Sequence, residues 1–202
     1  MPTTDTAICN LALRHIGIGK MIANVETEQS AEATACRSFL DHVKEVVLRD
    51  FPWPFARQFV ALGLVEEDPT SEWAYSYRYP SACITFKRIL SGTRNDTRQT
   101  RVPYIVTSDD DGLLIYTGQE DAEAEYIARI TNAGLYPPDF VSMLSLLLAS
   151  FITPSLAAGD PFKLRDRALK LYDYHRLKAQ ANAVNEQQDE EHPESEFIRE
   201  RG

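Results

Sequence analysis

The strongest constraint on this chain is a change in the period of its apolar residues. Cys36, Phe39, Leu40, Val43 and Val47 recur at three-to-four spacing, the stripe of an amphipathic helix. Past Trp73 the period becomes two, with Tyr75, Tyr77 and Tyr79 alternating with Ser76 and Arg78. After Pro138 the helical pattern returns. Helices and strands are thus gathered into separate blocks, which predicts an α+β fold. That fold is a bundle of about four helices with an inserted small antiparallel β domain and an extended C-terminal tail.

Cap signals place the helices. Thr4 or Asp5 opens the first, which shows one face of Ile8, Leu11, Ala12 and His15 and ends at Gly17 and Gly19. Ser30 opens the second, with Glu32 in its positive first turn, and Pro52 and Pro54 stop it near Arg49. The phrase Phe51-Pro52-Trp53-Pro54-Phe55 fixes three aromatic rings between two prolines and reads as a core plug. With Phe39 and Val43, Trp53 and Phe55 form the expected structural core. The third helix runs from Pro138 to Ile152 or a little beyond, with Pro154 kinking or dividing it. Its apolar part, Val141 to Ile152, is broken by Ser142, Ser145 and Ser150, and is read as buried and too short for a bilayer. Asp160 caps the fourth helix and Pro161 is its first residue.

Between these helices, strands are expected at Tyr75–Tyr79, Cys83–Ile89, Tyr104–Thr107, Leu113–Thr117 and Glu125–Ile130. The loop ending in Asp111-Gly112 signals a hairpin. The division is helical over 1–72, β over 73–131, helical over 132–184, and an extended or disordered arm over 185–202. That arm has little to bury.

Composition narrows the function. The formal charge is −9, which argues against a surface that grips nucleic acid throughout. The excess acid is concentrated between Glu186 and Glu200. A local basic stretch holds Lys87, Arg88, Arg94, Arg98 and Arg101, with Asn95-Asp96 between them suggesting a loop. That loop is either solvated or turned toward an acidic partner or DNA phosphates. The opening MPTTDTAICN shows no basic region followed by an apolar run, so no secretory signal is expected. Cys9, Cys36 and Cys83 have no CxxC spacing and suggest neither zinc nor a disulfide framework. Cys9 and Cys36 read as small buried hydrophobes.

Catalytic patterns are sparse. His15, His42, His175 and His192 stand apart, and there is no HExxH, GxSxG, GxxxxGK[ST] or GxGxxG. Ser108 to Asp111 lacks the alternating ligands and closing Glu of an EF-hand. Glu120, Asp121, Glu123 and Glu125 admit a glycosidase pair on residue type alone. No cofactor or metal is expected.

Four phrases carry a resemblance. They are Ala7-Ile8-Cys9-Asn10-Leu11-Ala12-Leu13-Arg14-His15-Ile16-Gly17; the loop Ile22 to Thr27 leading into Ser30-Ala31-Glu32-Ala33; Phe51-Pro52-Trp53-Pro54-Phe55-Ala56; and Trp73-Ala74-Tyr75-Ser76-Tyr77-Arg78-Tyr79-Pro80-Ser81-Ala82-Cys83. In this order they resemble the tail tubular protein A-like head-to-tail adaptors of short-tailed bacteriophages. The match covers the first half to two-thirds of the chain, and the tail after Val184 is not part of it.

The resemblance implies a structural, non-enzymatic virion protein assembled in the host cytoplasm. Generally twelve copies form a ring between the portal protein and the tail nozzle protein. The ring continues the DNA channel, helps retain and deliver the genome, passes DNA without specific binding and involves no membrane. The many tyrosines and arginines suit interfaces. The tail, read separately, is a portal-docking arm in which Glu186, Asp189, Glu190 and Glu191 supply charge. Phe197 and Ile198, followed by Arg199, supply an apolar anchor. The alternatives are a head-completion connector of a long-tailed phage and a virion-associated glycan hydrolase.

Overall fold

The computed structural model describes residues 3–93 and 100–186, and the fold is α+β. Among the described residues there are four α-helices and two antiparallel sheets.

The helix α1 spans Asp5–His15, and the Thr4 hydroxyl accepts from the Ala7 N–H at 3.1 Å. It closes with a left-handed Gly17 (φ 83°), the Gly17 N–H donating to Arg14 and the Ile18 N–H to Leu13. This 6→1 and 5→2 pair satisfies carbonyls that would otherwise be orphaned. The buried face is Ile8, Cys9, Ala12 and Leu13, whereas Leu11 and His15 are exposed. The expected face is therefore rotated, because α1 is oriented by the helices it packs on.

The helix α2, Ala31–Asp50, buries Ala33, Cys36, Leu40, Val43 and Val47. The Ser30 hydroxyl caps it, accepting from the Ala33 N–H. Lys44 lies on the buried side as well, and its ammonium meets Asp5 at 2.7 Å and Asp41 at 3.7 Å. A buried charge needs such a partner. The pair ties the first turn of α1 to the middle of α2.

The helix α3, Pro138–Leu156, is the central element, packed on by α1, α2 and α4. It corrects two expectations. Pro154 does not divide it, since a proline in the last turn removes only one ladder bond. The Ala157 N–H bonds the Thr153 carbonyl and closes the end beyond the proline. At 19 residues α3 is also long and apolar enough to cross a bilayer, but 67% of its most apolar window is buried among the other elements. It is a core helix by packing rather than by shortness.

The helix α4 spans Pro161–Asn185, and the Asp160 carboxylate accepts from the Lys163 N–H. Small residues, Ala168, Ala179 and Ala183, let its backbone approach α3. Arg176 and Gln180 both reach Asp50 at the end of α2.

The strands are β1 (Arg57–Ala61), β2 (Leu64–Glu67), β3 (Tyr75–Arg78), β4 (Cys83–Ile89), β5 (Tyr104–Asp109), β6 (Gly112–Thr117) and β7 (Glu123–Ala128). They form two sheets, not one: β1-β7-β4 and β2-β3-β6-β5. Two strands precede Trp73, within the stretch expected to be helical. The last strand sits two residues earlier than expected. The β5–β6 hairpin pairs Asp109 with Gly112, and Arg78 clamps Asp109 through two bonds of 2.8 and 3.0 Å.

The three-stranded sheet joins the helical core through Tyr126, Ile127 and Ala128. The Arg129–Glu45 ion pair at 2.7 Å adds a link to α2. A second, small core joins the two sheets: Tyr77 and Ile115 of the four-stranded sheet pack with Ile89 of β4 and with Ala122 just ahead of β7. Trp53 (2% exposed) and Val43 (0%) are buried, while Phe39 and Phe55 are half-buried against the same core. The rings of Trp53 and Phe55 meet Phe140 edge-on at 5.1 and 4.9 Å, an arrangement favoured by ring quadrupoles.

Candidate functional site

On the β side of the molecule, charged side chains converge. A cleft of about 500 Å³ is lined by Arg57 of β1, Lys87, Arg88 and Ile89 of β4, Arg101 and Val102 ahead of β5, Tyr104, and Glu125 of β7. Four cations thus face one carboxylate.

The sheet register explains the convergence. Glu125 stands on the central strand opposite Arg88 of β4, and Arg57 lies on the other flanking strand. Glu125 is buried, so its charge needs compensation. Its Oε1 meets Arg57 Nε at 3.2 Å and its Oε2 meets Arg88 Nε at 2.6 Å. The register of β4 slips between Phe86 and Arg88. A bulge of this kind re-aims side chains, and here consecutive Lys87 and Arg88 both line the cleft instead of pointing to opposite faces. Tyr104 is half-buried beside them, and burial pushes its hydroxyl pKa up.

Of the basic residues singled out in the sequence, the fold brings Lys87, Arg88 and Arg101 together. Arg94 and Arg98 lie outside the described residues. Arg57 and Glu125 were missed as members of the site. In Glu123–Ala128 two acids, Glu123 and Glu125, alternate onto one side of the strand, and nothing local marked Glu125 as the buried one. Nothing local pointed to Arg57, which is distant in the chain. For the arm, Glu186 caps α4 through its N–H to Asn182. Asp189, Glu190, Glu191, Phe197, Ile198 and Arg199 lie outside the described residues.

The other candidate groups have ordinary partners. His15 Nε2 lies 3.2 Å from Ser145 Oγ. The Ser145 hydroxyl donates to the Ser142 carbonyl at 2.9 Å, so the imidazole must donate to it rather than draw its proton. Although the residue as a whole is exposed, its ring is partly shielded from water at the Ser145 contact, and this desolvation, then the charge of His175, holds the His15 pKa below the usual imidazole range. Cys9 and Cys36 are buried, and a hydrogen bond to Cys36 together with burial pushes the Cys9 thiol up. Such a thiol is a poor nucleophile. Both oxygens of Glu125 are engaged by arginines. Among the described residues no three His, Cys, Asp or Glu side chains gather in a metal-binding group.

The chemistry available to the cleft is attraction of an anion: phosphate oxygens or acidic side chains. No protein-family model matches the chain, and no curated protein matches its sequence.

The cleft gives a direct expectation. Lys87→Glu with Arg101→Glu should lower the salt needed to elute the protein from heparin and leave its melting temperature unchanged, since both groups sit at the rim. Unchanged elution would remove the cleft as the polyanion-attracting surface.

Proposed function

We propose that this chain is a head-to-tail adaptor of a short-tailed bacteriophage. In this reading it is a structural virion protein forming a ring between portal and nozzle. The ring continues the DNA channel and helps retain and deliver the genome.

The observation that carries the proposal is the ordered series of four phrases resembling these adaptors. Their residues sit in α1, α2, the aromatic plug and β3, and so build the framework of the molecule. Two further features agree with it. The chain is acidic overall, which suits a wall past which DNA must move. Large apolar side chains are exposed on both the helical and the β parts, among them Phe59, Leu64, Phe162 and Leu177, as in subunits that are covered on assembly.

The test is assembly on the portal protein of the same phage. Mixed with it, the chain should form a ring detectable by mass; alone at micromolar concentration it should not. Failure to associate with portal, or stable large rings of the chain alone, would count against this reading. Association with a long-tailed phage connector instead would reassign the chain to head completion.

A further inference from the structure

The cleft on the β side carries more positive charge than its one acid balances. Its charged lining is Arg57, Lys87, Arg88 and Arg101 against Glu125. Glu125 engages Arg57 and Arg88. Lys87 and Arg101 are exposed and form no ion pair among the described residues. Glu123, two positions along β7 on the same side of the strand, is exposed outside the lining. With it counted, four cations still face only two acids. At the edge of the cleft Phe59 stands opposite Glu125 in the β1–β7 register and is 54% exposed. A basic hollow with an exposed ring beside it suits an acidic segment that also carries apolar residues.

This chain contains such a segment. Between Glu186 and Glu196 stand six carboxylates, those of Glu186, Asp189, Glu190, Glu191, Glu194 and Glu196, with no Lys or Arg among them. Phe197 and Ile198 follow directly. The segment begins where α4 ends, and packing sets that end close to the start of β1. Gln180 donates to Asp50 at the end of α2, and Asn182 donates to Asp139 at the start of α3, both at 3.1 Å. Phe140, next to Asp139, meets the Phe55 ring at 4.9 Å. Arg57 lies two residues beyond Phe55 and opens β1. Extended chain covers at most about 3.3–3.6 Å per residue, so the ten residues after Glu186 reach about 35 Å. That length carries the acids from α4 to the cleft of the same molecule.

We propose that the cleft is the seat of this chain's own acidic segment: Asp189 to Glu196 lie against Lys87 and Arg101, and Phe197 and Ile198 cover Phe59. A short tether raises the local concentration to about millimolar, so individually weak pairs suffice. Ion pairs at an exposed rim add little stability, so covering the cleft leaves the melting temperature in place. The contact loosens as salt rises. The same segment is the arm read as portal-docking, so cleft and portal compete for it. The free subunit holds its arm in, and the portal draws it out. The cleft contact rests on this chain alone; only the competition rests on the adaptor reading.

The test places a photo-cross-linking residue at Ser195 of the full chain, mixes isotopically labelled and unlabelled protein at low salt, and maps adducts by mass. Adducts should join residue 195 to residues 57–61, 87–89 or 101–104 of the same copy, and should fall severalfold at high salt. They should drop severalfold in Lys87→Glu/Arg101→Glu and return when the same chain also carries Glu190→Lys/Glu191→Lys. That return shows that the reversed chains are folded. No adducts in the cleft, adducts joining different copies, or adducts insensitive to the reversals would overturn the proposal. Portal added to the unreversed chain should deplete the cleft adducts. Cleft adducts that persist on portal-bound chain overturn the competition. Cleft adducts in a chain that never associates with portal remove the adaptor reading and leave the cleft contact standing.

Discussion

Trp53→Ala should destabilise the chain by about 3–5 kcal/mol, the range for emptying a buried aromatic site. Trp53 is 2% exposed, and its ring meets Phe51 at 5.0 Å and Phe140 at 5.1 Å. Its Nε1–H donates to the Val47 carbonyl at 2.8 Å. The substitution therefore opens a cavity between α2 and α3 and strips a buried acceptor near the end of α2. Small domains have only about 5–15 kcal/mol in total, so the loss should appear as a lower melting temperature, a lower urea midpoint and less soluble protein. Trp53→Phe separates the two effects: it keeps most of the apolar volume and forfeits the hydrogen bond, which costs about 1 kcal/mol. If Trp53→Ala keeps full stability and loses assembly instead, the residue belongs to an interface and the plug assignment fails.

Deleting residues from Asn185 onward should leave the fold intact and abolish most portal affinity. The last buried side chain of α4 is Ala183, and Val184 is 54% exposed, so the core loses little. Beyond it come Glu186, Asp189, Glu190 and Glu191, then two apolar residues, Phe197 and Ile198, after a polar run. We propose that the charges steer the arm to a basic groove on the portal and that Phe197 and Ile198 anchor it. Two anchors at about 2 kcal/mol each correspond to a loss approaching about a thousandfold. The acidic contribution should weaken as salt rises. Circular dichroism and melting check the fold; a titration against portal checks the affinity. Unchanged portal binding by the truncated chain would leave docking to the folded body.

The substitution and the deletion act on different levels. Trp53 belongs to the packing that makes the subunit, and its loss should be felt with no partner present. In the proposed reading the arm belongs to what the subunit meets, and its loss should be silent until the portal is added. Measuring both properties on both variants therefore tests whether core and docking are separable in this chain.

What the sequence by itself determined lies mostly within single turns of chain. The stripe from Cys36 to Val47, the caps Thr4, Ser30 and Asp160, the Pro161 start and the Gly17 stop are all set by neighbours a few residues away. The β5–β6 hairpin is equally local: Asp110 and Asp111 make its turn, and Gly112 opens β6 at φ 136°. Hence the α+β class and the positions of four helices could be read directly.

Only the tertiary structure decided the rest, because it depends on partners remote in the chain. β1 and β2 carry a continuous apolar run, not an alternation, and become strands because β7 and β3 pair with them. The split into two sheets follows from the same pairings. Which face of α1 is buried was chosen by the helices it packs on, so Cys9 and Leu13 turn inward while Leu11 turns out. The cleft is the clearest case. Lys87, Arg88 and Arg101 were visible as a basic stretch, but Arg57 and Glu125 enter only when three strands are laid side by side. A buried carboxylate between two arginines is a demand that burial creates, and burial is a property of the folded chain rather than of any window of its sequence.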